Sequence, residues 1–95
     1  MTRHYRRGDE HIYREIAGEH LLIALRRREA SPLYALTPVA VDLWRRLEGW
    51  VTADALADYL EQRYQVTREV ALADVEEFLG QLEQIRAVES TEDPA

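Results

Sequence analysis

The sequence predicts an α+β domain in which a three-stranded antiparallel sheet is followed by three helices, a winged helix-turn-helix arrangement. Three observations carry this. Short strand-like runs occupy the chain before residue 37, three threonines each open an amphipathic stretch after it, and only Gln65, Val66 and Thr67 separate the last two stretches. Ninety-five residues hold one small core, so sheet and helices must share it.

The first strand is expected over His11 to Ala17, with Ile12, Arg14 and Ile16 on one face. Gly18 breaks it and supplies the backbone freedom of a tight hairpin. The second strand is expected over Leu21 to Arg26. Its run Leu21, Leu22, Ile23, Ala24, Leu25 is apolar on both faces, the pattern of a middle strand covered on both sides. A polar break from Arg27 to Pro32 leads to a short third strand, Leu33 to Leu36, placed at the sheet edge.

Helix starts are marked by side-chain caps. Thr37 caps the first helix, and Pro38 fits its opening turn because that position needs no N–H. Ala40, Leu43, Trp44 and Leu47 form its apolar stripe, and Gly49 closes it. Thr52 caps the second helix, where Asp54 suits the positive end of the dipole and Leu56, Leu60 and Tyr64 share a face. Thr67 caps the third and longest, running to about Arg86 with Leu72, Val75, Leu79 and Leu82 along its buried side. Residues 11–89 are thus assigned to the domain, residues 1–10 to a loose N-terminal arm and residues 90–95 to a frayed tail.

Composition excludes several function classes. Twelve arginines against eighteen acids give a net charge of -6, which opposes a polyanionic partner. The charge is uneven: residues 1–28 carry seven Arg and four acids (net +3), and residues 29–95 carry five Arg and fourteen acids (net -9). With no cysteine there is no disulfide framework, thiolate zinc site or cysteine nucleophile. No apolar run is long enough to span a bilayer and no apolar segment follows the polar start, so a cytoplasmic protein without a membrane partner is expected.

Catalytic chemistry is equally thin. The serines, Ser31 and Ser90, lie in a connection and in the tail, away from any evident base. His4, His11 and His20 lack the helical i, i+4 spacing of a metal pair, and the four glycines are too scattered for a phosphate loop. No catalytic residue, cofactor or metal is expected, and the chain is read as a non-enzyme. The helix pair raises a DNA-binding regulator as the alternative function, with Arg26, Arg27 and Arg28 as a basic wing. Against it, the third helix offers Arg68 followed by Glu69, Asp74, Glu76 and Glu77, which phosphates repel.

A binding surface made by backbone remains. An edge strand accepts an extended peptide as an added strand, and side-chain pockets beside it supply specificity. Phe78, at helical spacing from Asp74 and Val75, is expected to form an apolar wall with acids beside it, doubling as core. Tyr34 and Trp50 carry the same double reading.

The segments REIAGEHLLIAL (Arg14 to Leu25), SPLYALTPVAVDLWRRLEG (Ser31 to Gly49), TADALADYLEQRYQV (Thr52 to Val66) and ALADVEEFLGQLEQIRAVE (Ala71 to Glu89) together resemble the PqqD-like family. These are the small peptide chaperones of pyrroloquinoline quinone biosynthesis and, more broadly, the leader-peptide recognition domains of ribosomally made, modified peptides. The resemblance implies a peptide chaperone that binds a precursor's leader as an extra strand beside the third strand and against the third helix. It further implies delivery to a modifying enzyme, such as a radical S-adenosylmethionine protein or a leader peptidase. On that footing Leu33, Tyr34, Ala35 and Leu36 form the pairing edge, and Val70, Ala71, Asp74, Val75 and Phe78 line the groove. The protein is expected to be a monomer alone, with the leader and the enzyme as partners and no nucleic acid. The chain departs from many relatives after the last helix, where Ile85, Arg86, Ala87 and Val88 replace a Gly-Leu-Val-like ending.

Overall fold

A computed structural model describes residues 2–25 and 33–94. In chain order the elements are β1 (His4–Arg7), β2 (His11–Ile16), β3 (Glu19–Ala24), β4 (Leu33–Leu36), α1 (Pro38–Arg46), β5 (Val51–Thr52), α2 (Ala53–Tyr64), α3 (Arg68–Gln84) and β6 (Val88–Thr91). The strands form two antiparallel sheets, β2-β3-β4 and β5-β1-β6. The first of these, with the three helices, is the arrangement the sequence predicts. The Arg26 to Arg28 run, Ser31 and the break from Arg27 to Pro32 lie outside the described residues.

The β2-β3 hairpin turns on Ala17 and Gly18, both at positive φ (54° and 82°). That pair of left-handed residues matches the right-handed twist of the strands, and glycine meets it without steric cost. Ile16 pairs with Glu19 across the turn, and the register continues through Tyr13 with Leu22 to His11 with Ala24. A two-residue turn makes its closing pair hydrogen-bonded, and antiparallel pairs then alternate. Glu19, Leu21 and Ile23 therefore bond to β2, as the Leu25 N–H to Glu10 carbonyl bond of 2.8 Å confirms one step further on. His20 and Leu22 turn their backbone groups toward Leu36 and Tyr34 of β4. Ala35, between those two, points its N–H and C=O away from β3, at the open side of the sheet.

One face of this sheet packs on the helices. Leu22 is fully buried, Leu36 and His11 are nearly so, and Tyr13 and Tyr34 pack partly buried against the same core. Among the described residues no helix covers the opposite face, where Ile16 and Leu33 are each 51% exposed. The expectation that β3 is covered on both sides is thereby corrected: all three helices follow the sheet and fill the one side where their stripes meet Leu22.

Each helix begins as its cap dictates. Thr37, Thr52 and Thr67 accept from the N–H groups of Ala40, Ala55 and Val70 at 3.1, 3.0 and 3.2 Å. Helix α2 ends at Gln65 in the left-handed region (φ 55°), so the chain reverses at once into α3. Leu43, Trp44 and Leu47 from α1, Leu56 and Leu60 from α2, and Val75, Leu79 and Leu82 from α3 complete the core.

The loose arm and frayed tail are corrected. Within residues 1–10, His4–Arg7 is the central strand of the second sheet, paired with Val51 and Thr52 on one side and with Val88 to Thr91 on the other. Two further bonds, Arg7 N–H to the Leu47 carbonyl (2.8 Å) and Gly8 N–H to the Ala87 carbonyl (3.0 Å), tie it to the body. The strand lacks apolar alternation because arginines over aromatic rings do part of the work: Arg6 lies 4.4 Å from the Trp50 centroid and Arg7 5.6 Å from that of Trp44. In the segment read as a tail, Ser90 and Thr91 belong to β6, and Glu92 faces Arg3 at 3.7 Å.

Candidate functional site

Between β4, α1 and α3 lies a groove of about 460 Å³. Its lining comes from three consecutive sequence devices. Alternation in β4 turns Tyr34 and Leu36 inward, the Thr37 cap fixes where α1 starts, and α1 then supplies Val39, Ala40 and Leu43. From α3, spacing of three and four residues brings Asp74, Glu77, Phe78 and Gln81 along the same wall. Leu43 and Phe78 are buried core residues that also floor the groove.

The rim is polar and acidic. The Tyr34 hydroxyl donates to Gln81 Oε1, and Gln81 Nε2 donates to Glu77 Oε1 at 3.5 Å, so one chain of bonds crosses from β4 to α3. Partial burial, with the Glu77 charge adding, pushes the Tyr34 phenol above its ordinary pKa and keeps it a donor. Among the described residues Asp74 and Glu77 form no ion pair. The groove thus joins an apolar floor, two unneutralised carboxylates and the outward backbone groups of Ala35.

Of the residues expected at a peptide site, Tyr34, Ala35, Leu36, Asp74 and Phe78 meet here. Ala71 and Val75 are fully buried in the stripe beneath, Val70 stands 47% exposed at the start of α3, and Leu33 lies on the outer sheet face. Trp50 is away from the groove, under Arg6. The wall from α1 went unforeseen because Val39, Ala40 and Leu43 carry the same apolar periodicity as core. Glu77 and Gln81 stand at i+3 and i+7 from Asp74, a helical relation already present in the sequence.

A second, more open hollow of about 790 Å³ lies between α1 and α2. Two of its four charged lining residues are engaged: Asp42 accepts from Tyr64, and Arg46 stacks 3.6 Å above the Tyr59 ring. The strand beside it is β5, which is only two residues long and lines the hollow with Val51.

The helix-turn-helix surface is poorly suited to phosphate. Arg68, the basic residue at the start of α3, is held by Asp58, by Glu61 at 3.0 Å and by Asp54 at 3.1 Å. Hydrogen bonds to Glu61 and Asp58 raise its pKa further, so it is a fixed cation inside an excess of negative charge. Glu69, Asp74, Glu76, Glu77 and Glu83 follow on the exposed side of α3. Arg68 serves as a strap between α2 and α3. Replacing it with alanine should lower the thermal midpoint slightly at low salt, and the difference from wild type should shrink in 1 M salt, which screens the three carboxylates from one another. Paired melts at the two ionic strengths check this; a difference independent of salt would leave packing as the cause.

Among the described residues no group of three His, Asp or Glu side chains is placed to hold a metal ion, and no helix is long and apolar enough to cross a membrane.

Comparison with known proteins places this geometry. No curated protein gives a significant match. The PqqD truncation of Methylobacterium extorquens PqqCD, described as a functional and stand-alone recognition element for ribosomally synthesized and post-translationally modified peptides, superposes with a TM-score of 0.71. It is 24% identical, over 90% of this chain and 88% of the other. TbiB1, solved in complex with the TbiA(beta) leader peptide, superposes with a TM-score of 0.72 at 23% identity, over 95% of this chain and 98% of the other. The family model for coenzyme PQQ synthesis protein D matches residues 19–88, which spans β3 through the start of β6, and the chain belongs to the PqqD family.

Proposed function

We propose that the chain is a non-catalytic adaptor that takes the leader of a ribosomally made precursor peptide as a strand on β4 and presents the precursor to a maturation enzyme. The observation that carries the reading is the outward N–H and C=O of Ala35 beside the groove between α1 and α3. Strand addition there provides backbone bonds for affinity, and alternate leader side chains enter the groove for specificity. The solved leader complex of TbiB1 and the recognition role of the Methylobacterium extorquens domain support it. The enzyme is a radical S-adenosylmethionine protein or a leader peptidase, and the assembly works in the cytoplasm. Chemistry stays with that enzyme.

Ordering a disordered leader costs roughly 2 to 5 kcal/mol of the gross interaction energy, which keeps affinity for the isolated domain modest. Joining leader and enzyme on one scaffold offsets this by raising the local substrate concentration to about the millimolar range.

The test is an amide chemical-shift titration with the leader of the precursor encoded beside this gene, and a DNA duplex as comparison. Shifts gathered at Tyr34 to Thr37 and along Asp74 to Gln81 are the expected result. Shifts from the duplex at α3 with none from the leader would favour a regulator instead. The acids add a finer prediction: Asp74→Arg should weaken a leader with basic residues near the groove about threefold at low salt, and the loss should fade as salt rises. An unchanged dissociation constant and salt slope in isothermal titration calorimetry would remove the charge from the account.

A further inference from the structure

The β2-β3-β4 sheet has a second face that the peptide groove does not use. Pairing of Ile16 with Glu19, Ile12 with Ile23, Leu21 with Ala35 and Ile23 with Leu33 places Ile12, Ile16, Leu21, Ile23, Leu33 and Ala35 together on it. Leu25, still bonded to Glu10, continues the alternation. Among the described residues four large hydrophobics are markedly exposed, and three of them, Ile16 (51%), Leu25 (55%) and Leu33 (51%), stand on this face. Scattered exposed apolar side chains need no explanation, but a clustered patch on a small domain marks a contact surface.

We infer that this outer sheet face is the docking surface for an apolar patch on the enzyme that modifies or cleaves the precursor. The inference rests on the leader reading above, through continuity. A strand added at β4 extends the sheet, so leader residues that point away from the groove stand beside Leu33 and Ala35 on the outer face. A partner seated there touches adaptor and cargo together, whereas a partner over α3 meets only the groove wall. The acidic character of α3 sharpens the division. The charged side selects the peptide, and the apolar side, where Arg14 and Glu19 are the charged residues among β2 and β3 positions of the same parity, meets the enzyme.

The double variant Ile16→Lys/Leu25→Lys alters exposed positions outside β4 and outside the groove lining, and Lys at 16 sits opposite Glu19. Two measurements separate the claims: calorimetric titration of the variant with the leader alone, and surface plasmon resonance of the leader-free and leader-loaded protein against the maturation enzyme encoded with the precursor. The expected result is leader affinity within about twofold of wild type and enzyme affinity reduced about fivefold or more, with loaded wild type binding the enzyme more tightly than free wild type. The milder Leu25→Ser should move enzyme affinity in the same direction. Unchanged enzyme affinity in both variants overturns the inference. So does a wild-type dimer in sedimentation velocity that the double variant converts to monomer, since the face then holds a second copy. A wild-type chain that binds the enzyme through this face but no leader overturns the peptide reading and leaves the docking surface in place.

Discussion

Deleting residues 2–8 is expected to lower the stability of the domain by about 3 kcal/mol and its thermal midpoint by on the order of 15 °C. The deletion removes the central strand of the β5-β1-β6 sheet, which leaves Val51 and Thr52 without their partner and Val88 to Thr91 unpaired along that edge. It also uncovers apolar surface, because Ala87 and Val88 are buried and Tyr5 packs against the core beside them. Trp50 and Trp44 lose the guanidinium groups of Arg6 and Arg7. Against a total stability of roughly 5 to 15 kcal/mol for a domain, that is a large share. Melts of the truncated and full-length proteins by circular dichroism check it. A midpoint within about 3 °C of wild type would return this segment to the status of a loose arm. The groove lies at the other sheet, so leader affinity of the folded truncated protein should be unchanged.

That strand also marks where the sequence stops being informative. Its partners are Val51 and Thr52 on one side and Val88 to Thr91 on the other, so the pairing is far from local. Four residues reading His-Tyr-Arg-Arg carry no alternation, and a two-residue strand such as Val51–Thr52 carries no period at all. The helices were legible for the opposite reason. Thr37, Thr52 and Thr67 cap within three residues, through side-chain chemistry that needs no distant partner. The hairpin at Gly18 was legible on the same terms.

The groove was half legible. The i, i+4 relation of Asp74 and Phe78 fixes them on one wall of α3 whatever the tertiary fold, and β4 was short enough to be placed at an edge. Which wall faced them depended on how α1 crosses the sheet, and no periodicity encodes that. Ala71 and Val75 share a stripe with Phe78, yet they are fully buried while Phe78 reaches the groove floor. Size and position along the helix, rather than helical phase, decide which member of the stripe reaches the opening. The uncovered outer face of the sheet escaped for a related reason: an apolar strand has the same sequence whether its second face meets a helix or another protein.

Ala35→Pro is expected to weaken leader binding about thirtyfold while the domain stays folded. The register makes the two halves of that statement separable. Tyr34 and Leu36 bond to Leu22 and His20, so the ladder to β3 does not use the Ala35 N–H, and proline at this position removes a donor only from the open side. A leader strand laid there loses one backbone bond and is left with a carbonyl facing the pyrrolidine ring. One missing bond is worth about 0.5 to 1.5 kcal/mol, and the unsatisfied acceptor adds about 1 kcal/mol or more, together close to 2 kcal/mol and hence a factor of about thirty. Calorimetric titration measures the loss, and an amide spectrum with unshifted resonances for α1 and α3 shows that the fold survives. Ala35→Ser supplies the contrast, since it keeps the N–H and should bind within about twofold of wild type. If the proline variant is folded and binds the leader as tightly as wild type, the peptide does not add to β4, and the groove must hold it through side chains alone.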